Sequence, residues 1–305
     1  MVEGRKINEY TSLAKLQNYL VLGSNNNSDN ELLLSFITRA SRAIDTFTQR
    51  KFYPRLETRF YDYKETQRVK LDDDLLSLSA LKYQNGACTM PSSVMWLGLG
   101  RDWNSRPYDR IILNTYSGST LNFTGTPQRA IEVTGFWGYH ESYDSAWIDT
   151  GTSLVSAYTA SAGSISLAGA GSVGTGASDA RGDAPRISPG DTLKIGDQLF
   201  AVTGGASSGN GTVLVIPYIN GTNTASFAPG GSYASGASIA KYSPEPDIEY
   251  STLRLAAWTY GQKDTPYEVK QSAPQFGVIT VPYTWPPDVK SRLERFKRFM
   301  FETMP

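Results

Sequence analysis

The apolar positions of this chain change their period several times, and each change predicts a new element. Leu13, Leu16 and Leu20 recur at helical spacing behind Thr11 and Ser12, either of which can accept a hydrogen bond from an orphan N-terminal N–H. Gly23-Ser24-Asn25-Asn26-Asn27 breaks the pattern, because Gly and Asn tolerate left-handed backbone and the amide side chains compete for backbone groups. Ser28-Asp29-Asn30-Glu31 then has the spacing of a capping box, and Leu33, Ile37 with Phe36, Ala40, Ile44 and Phe47 form one apolar stripe. The spacing predicts a short helix followed by a longer one that runs to about residue 48.

From Phe52 to Trp147 the period falls to two. Thr58-Arg59-Phe60-Tyr61-Asp62-Tyr63 alternates, Val69-Lys70-Leu71 runs into Asp72-Asp73-Asp74, and Leu76-Ser77-Leu78-Ser79-Ala80-Leu81 alternates again. Arg110-Ile111-Ile112-Leu113 and Ala130-Ile131-Glu132-Val133-Thr134-Gly135 continue the series. These runs predict a small antiparallel sheet, with the three aspartates as a charged turn between two strands.

Residues 151–243 hold seventeen of the 28 glycines and only eight charged side chains, which sets them apart from what flanks them. Within them, residues 191–203 give two alternating strands around Gly196-Asp197, and Thr212-Val213-Leu214-Val215-Ile216 supplies another. An inserted Gly/Ser-rich small β-domain is expected here, its tracts at 160–185 and 220–238 forming loops.

Helical spacing returns after Pro246-Asp247, with Ile248, Leu253, Leu255, Ala256, Ala257 and Trp258, and stops near Gly261. Gly277-Val278-Ile279-Thr280-Val281-Pro282 predicts a strand or extended arm. Pro286-Pro287-Asp288 then opens a last helix, where Val289, Leu293, Phe296 and Met300 share one face and Lys290, Arg292, Arg295, Lys297 and Arg298 populate the rest. The expected fold class is α+β: a small helical bundle built from both chain ends, decorated by an antiparallel sheet and carrying the inserted β-domain. Residues 1–150 and 244–305 make the core, and 151–243 the insert.

Composition narrows the function classes. Twenty-nine basic and 29 acidic residues cancel, so nucleic-acid contact cannot rest on a broad positive field. One cysteine, Cys88, excludes an intramolecular disulfide and a Cys-based zinc cage. Residues 1–10 carry Glu3, Arg5, Lys6 and Glu9 and lack the apolar stretch of a secretory signal, and no run approaches the roughly 18 apolar residues of a membrane span. A soluble protein working where it is made is expected.

Candidate chemistry is sparse. General-base and nucleophile–base pairs converge on the single histidine, in Gly138-Tyr139-His140-Glu141, and no Gly-x-Ser-x-Gly elbow accompanies it. A hydrogen-bonded loop histidine is the plainer reading, with a hydrolase using His140 as the competing one. Asp72-Asp73-Asp74 offers hard oxygen ligands without the register of a calcium loop. Gly169-Ala170-Gly171-Ser172-Val173-Gly174 lacks the Gly-Lys-Ser/Thr of a phosphate loop, and Arg181-Gly182-Asp183 is a chance tripeptide. The basic last helix has two readings. Its cations solubilise an outer face, or, with Phe296, Phe299, Met300 and Phe301 wrapping beyond one stripe, it docks on another protein or lines a DNA path.

A family resemblance begins at Tyr10-Thr11-Ser12-Leu13-Ala14-Lys15-Leu16-Gln17-Asn18-Tyr19-Leu20 and continues through the helical stripe of residues 28–52. Tyr53-Pro54-Arg55-Leu56-Glu57-Thr58-Arg59-Phe60-Tyr61-Asp62, the run 71–78, and Ile131-Glu132-Val133-Thr134-Gly135-Phe136-Trp137-Gly138-Tyr139 follow in order. Together they resemble the phage head-tail connector (head-completion adaptor) family, over roughly residues 10–140 and again in the helix 248–260 and the last helix. Residues 151–243 depart from short members and are similar to the β insert of longer ones. The resemblance implies a structural virion protein at the head–tail interface, assembled in the host cytoplasm, with no catalysis, cofactor or metal. It implies a ring of about twelve copies docked on the portal protein, a lumen for packaged DNA and a surface for tail, stopper or tail-completion proteins. No membrane partner is expected. Candidate partner or neighbour contacts are Arg292, Arg295, Phe296, Lys297, Arg298 and Phe299. The competing non-enzymatic reading makes the insert a capsid- or glycan-binding decoration or tail module.

Overall fold

The computed structural model of the chain describes residues 8–22, 29–64, 67–84, 86, 88–91, 93, 95–99, 102–103, 106–114, 121, 126–159, 164–168, 187, 191–196, 198–205, 212–217, 232–263, 270–273, 277–280 and 285–298. The chain is α+β, and its strands pair antiparallel throughout the described residues. It divides into two compact units, one made of residues 1–50 with 244–305 and the other of 51–243.

The first unit is helical. α1 (Leu13–Tyr19) starts at Ser12, whose hydroxyl accepts from the Lys15 N–H at 3.3 Å. α2 (Asn30–Thr48) starts at Asp29, whose side chain makes no cap bond. Its carboxylate instead accepts from Lys263 Nζ at 2.6 Å and Tyr260 Oη at 2.8 Å, and the Lys263 bond, then the Tyr260 bond, hold it below its ordinary pKa. Of the expected capping box, Ser28 lies outside the described residues, while Asp29, and not Ser28, takes the N-cap position and Glu31 falls in the first turn. The 3.6-residue period of Leu33, Ile37, Ala40 and Ile44 places all four in the core.

α3 (Pro246–Gly261) buries Ile248, Ser251, Thr252, Leu255 and Ala256, and α4 (Pro287–Glu294) buries Val289 and Leu293. α2 packs on α3, α3 on α4, and α1 on both α2 and α3. After α4 the chain passes over the end of α2, where Arg298 N donates to the Thr48 carbonyl at 2.9 Å and so satisfies one orphan acceptor of that helix.

The second unit holds two sheets. The first has seven strands: β1 (Arg55–Tyr61), β2 (Arg68–Tyr83), β3 (Cys88–Met90), β4 (Met95–Leu99), β5 (Asp102–Trp103), β6 (Tyr108–Leu113) and β7 (Ile131–Trp137), in the order β1-β7-β2-β6-β4-β5 with β3 beside β2. The expected turn at Asp72-Asp73-Asp74 is absent. The three residues lie inside β2, where the register against β6 jumps between Lys70 and Leu75. The strand bulges instead of ending because arginines on β1, beyond β7 in the sheet, satisfy the carboxylates in place of water. Val69, Leu71, Leu75, Ile111, Ile131, Val133 and Trp137 are among the core residues of this sheet. Gly135 must lack a side chain, since a Cβ there would sit 2.2 Å from the Ser77 carbonyl oxygen.

The second sheet comprises β8 (Trp147–Ser153), β9 (Ser164–Ser166), β10 (Thr192–Ile195), β11 (Gln198–Gly205), β12 (Thr212–Pro217) and β13 (Ser238–Tyr242), in the order β8-β13-β10-β11-β12-β9. Its two edges meet. Leu154 bridges Leu167, Val155 N donates to the Ser166 carbonyl at 2.9 Å, and Ala168 N donates to the Ser153 carbonyl at 2.7 Å. The sheet thereby closes into a small barrel around Leu154, Tyr158, Leu167, Leu193, Phe200 and Ile239. The hairpin expected around Gly196 is the β10–β11 pair. β9 falls in a tract expected to be loop, because Ser-Ile-Ser has one apolar residue and no readable alternation.

One more hairpin, β14 (Lys270–Ala273) with β15 (Gly277–Thr280), belongs to the stretch of chain that forms the helical unit. The sequence reading expected the second of these strands and missed the first.

Candidate partner-binding surface

α3 and α4 are brought side by side by their buried stripes, and this sets opposite charges on their outer faces against each other. Asp247 Oδ1 accepts from Arg292 Nη1 at 3.1 Å, and Asp247 Oδ2 pairs with Arg295 Nη2 at 2.5 Å. Arg254 Nε reaches Asp288 Oδ2 at 3.0 Å, and Arg254 Nη1 donates to Tyr19 Oη at 3.3 Å; these two bonds, Tyr19 first, push the guanidinium pKa up. The Arg292 guanidinium also stacks over Tyr250, 5.0 Å from the ring centroid. Arg292 and Arg295 are about half exposed, so these pairs orient the arginines while contributing little stability, roughly 0–1 kcal/mol each.

The residues singled out from the sequence separate here. Arg292, Arg295 and Lys297 are exposed, and Arg298 is half-buried with its N–H spent on α2. Lys297 Nζ lies 5.2 Å from the centre of the Phe47 ring, which packs against Trp285 at 5.3 Å. Phe296 is only 1 % exposed and belongs to the core of the helical unit, beneath the Arg295 guanidinium at 4.4 Å. It supports the surface from below and is not on it. Phe299, Met300 and Phe301 lie outside the described residues.

The result is a face of cations already engaged by carboxylates and rings, with Tyr19 and Tyr250 exposed among them. Arginine and tyrosine held in fixed poses on a half-exposed surface are the side chains that anchor protein–protein contacts.

Two other constellations lie in the second unit. On the sheet, Asp73 Oδ2 accepts from Arg55 Nη2 at 2.7 Å and Arg59 Nη2 at 2.8 Å, Glu57 binds both arginines, and Asp72 takes Arg59 Nη1 at 3.0 Å together with the Tyr61 hydroxyl. The Arg59 guanidinium lies 4.4 Å from the Trp137 ring centre. Burial alone would raise the Asp73 carboxyl, but Arg59 and then Arg55 outweigh it and hold it below the usual carboxylate range. Burial, with the Asp72 bond, pushes the Tyr61 phenol up. These carboxylates are committed to arginines, and among the described residues no group of three or more His, Cys, Asp or Glu is placed to hold a metal ion.

His140 is buried, with Nδ1 accepting from the Ser142 N–H at 3.0 Å and its ring edge-on to Tyr242 at 6.0 Å. It sits among aromatic residues: Trp147 contacts Tyr242 at 5.2 Å and Tyr143 at 6.1 Å, and burial pushes the Tyr143 phenol up to about 12. The Tyr242 hydroxyl donates to the Phe52 carbonyl at 3.0 Å, so this cluster fastens the barrel to the strand-entry segment of the first sheet. Gly169–Gly174 and Arg181-Gly182-Asp183 lie outside the described residues. No helix among the described residues is long and apolar enough to cross a membrane.

No family model matches the chain, and no curated protein matches it. Among solved structures it is similar to a chain from a structure described as the neck of an empty GTA particle computed with C6 symmetry, at 19% identity and a TM-score of 0.30. The alignment covers 42% of this chain and 64% of that one, so the chain spans less than two thirds of the length of its match. A TM-score of 0.30 is too low to equate the two folds, and the likeness carries no functional inference.

Proposed function

We propose that the chain is a structural subunit of a phage particle, a head-tail adaptor that forms a ring of about twelve copies. In this reading the ring docks on the portal protein, extends the channel for packaged DNA and offers the attachment surface for tail, stopper or tail-completion proteins. It does its work in the virion, at the head–tail interface, and performs no catalysis. The observation that carries the reading is the joint contribution of the chain ends: α1 and α2 with α3 and α4 make one unit, and the β material of residues 51–243 is inserted between them. That is the architecture implied by the sequence resemblance, whose motifs fall on α1, α2, β1 and β7 in order.

The exposed face of Arg292, Arg295 and Lys297 supports a protein contact for the helical unit, with Phe296 as its buried base. The 29 basic and 29 acidic residues of the chain cancel, which suits a subunit beside a DNA path, since strong lumen cations would grip phosphates and retard passage. A phage that lacks this chain is expected to accumulate DNA-filled heads and separate tails that do not join. Complete, infectious particles without it would overturn the reading.

The closed barrel favours a second reading, a capsid- or glycan-binding decoration or tail module. The barrel has a core of its own and, among the described residues, edges that meet each other, as suits an autonomous binding module. Under that reading the protein acts as a monomer or trimer indifferent to the portal.

A further inference from the structure

Among the described residues, two segments of the chain keep unpaired strand edges. β14 and β15 pair with each other and, among the described residues, with no third strand. A two-stranded ribbon alone is marginal in water and needs another strand or a packed face. Among the described residues β1 is paired on one side only, by β7. Beyond that ladder its backbone takes one further bond among the described residues, from Trp137 Nε1 to the Glu57 carbonyl at 3.0 Å.

The other edges are poor receivers. β8 and β9 meet where the barrel closes, and β8 is further interrupted by Gly151 at φ +66° and by a register shift against β13. β3 and β5 have three and two residues. β1, in contrast, runs seven residues in unbroken register from Arg55↔Trp137 to Tyr61↔Ile131.

Edges are normally blunted by a bulge, a proline or free charge. β1 has neither bulge nor proline, and its charges are neutralised on one face by Asp72 and Asp73. Its other face carries Leu56, Thr58 and Phe60, the last exposed beneath the Arg129 guanidinium at 4.5 Å.

We propose that the β14–β15 ribbon of one copy adds to the β1 edge of the next copy and extends its sheet. Main-chain hydrogen bonds supply the affinity, and the β-branched run Val278-Ile279-Thr280 suits the added strand. The two partners are different surfaces of one chain, so the contact is head-to-tail, and it closes into a ring when the rotation between copies permits. The pairing rests on the reading of the chain as a ring subunit and specifies the joint between neighbours.

Disulfide trapping in the full-length protein tests it. Cys88→Ser removes the native thiol, and on that background Thr58→Cys is mixed with chains carrying Ser272→Cys, Val278→Cys or Thr280→Cys. A disulfide-linked dimer of unlike chains is expected at one or more of these positions, and a head-to-tail ladder when both cysteines sit on one chain. An assembly of unchanged mass with no mixed disulfide at any position would overturn the pairing and leave the ring reading intact. So would a bond formed only within single chains. A protein that stays monomeric alone and with the portal would overturn both. As a second measurement, Ile279→Pro removes a ladder donor. Its expected effect is loss of the assembly to single chains with an unchanged unfolding midpoint, and a full-mass assembly of this variant would overturn the pairing.

Discussion

Asp73 shows how one residue can decide between a strand and a turn. Three successive aspartates read as a solvated turn, because the apolar alternation of the strand stops at them. The counter-charges arrive from Arg55 and Arg59, on a strand that ends seven residues before β2 begins and is separated from it in the sheet by β7. That coincidence is not local and could not be read from periodicity. The Arg55 side chain is 8 % exposed and that of Asp73 15 %, so removing the carboxylate charge strands a guanidinium in a poorly solvated place. Asp73→Asn is expected to cost about 2–4 kcal/mol at neutral pH by urea unfolding. Since the folded protein holds this carboxyl below its unfolded value of about 3.9, its contribution is complete above that value and is lost as pH falls through the folded one. The difference between wild type and variant should therefore shrink in acid. A difference that persists there would assign the effect to shape and not to charge.

Elements with a clean period were legible from the sequence: α2, β7, β10 and β11 all carry regular apolar spacing, and α2 ends at Thr48, where the stripe ends. β14 was not legible, because Lys-Gln-Ser-Ala holds no alternation, and neither was barrel closure, which depends on residues 153–155 meeting 166–168. The sequence places Phe296 both on the apolar stripe of the last helix and among its candidate partner contacts. Phe296 lies just beyond the last helical turn and folds inward, so the excess apolar surface that the sequence offered is partly core. At the end of α1, Val21 N donates to the Asn18 carbonyl and Leu22 N to the Gln17 carbonyl, the paired bonds of a Schellman motif. The motif puts Val21 at φ 55°, where glycine is the usual residue, with its side chain 89 % exposed. Val21→Gly relieves that strain without emptying any core and is expected to stabilise the helical unit by about 1 kcal/mol, read as a raised unfolding midpoint. A lowered midpoint would mean that the valine side chain has a packing role.

At the scale of the whole molecule, the fold class was legible because helical spacing at both chain ends brackets period-two material and a low-charge insert. The candidate site was legible only in part. Its cations were visible in the sequence, but the pairing of Arg292 and Arg295 with Asp247, more than forty residues away in the chain, depends on how α3 and α4 pack. A chain whose α3–α4 face holds arginines and tyrosines in fixed poses, and whose first sheet keeps one long open edge among the described residues, has the surfaces that joining other protein chains requires. The measurement that bears most directly on this account is the mass of the purified full-length protein, alone and mixed with the portal protein of the same phage, by light scattering after size exclusion. The account predicts a species near twelve subunits, or a shift to that stoichiometry when the portal is added. A strict monomer or trimer that ignores the portal would contradict it.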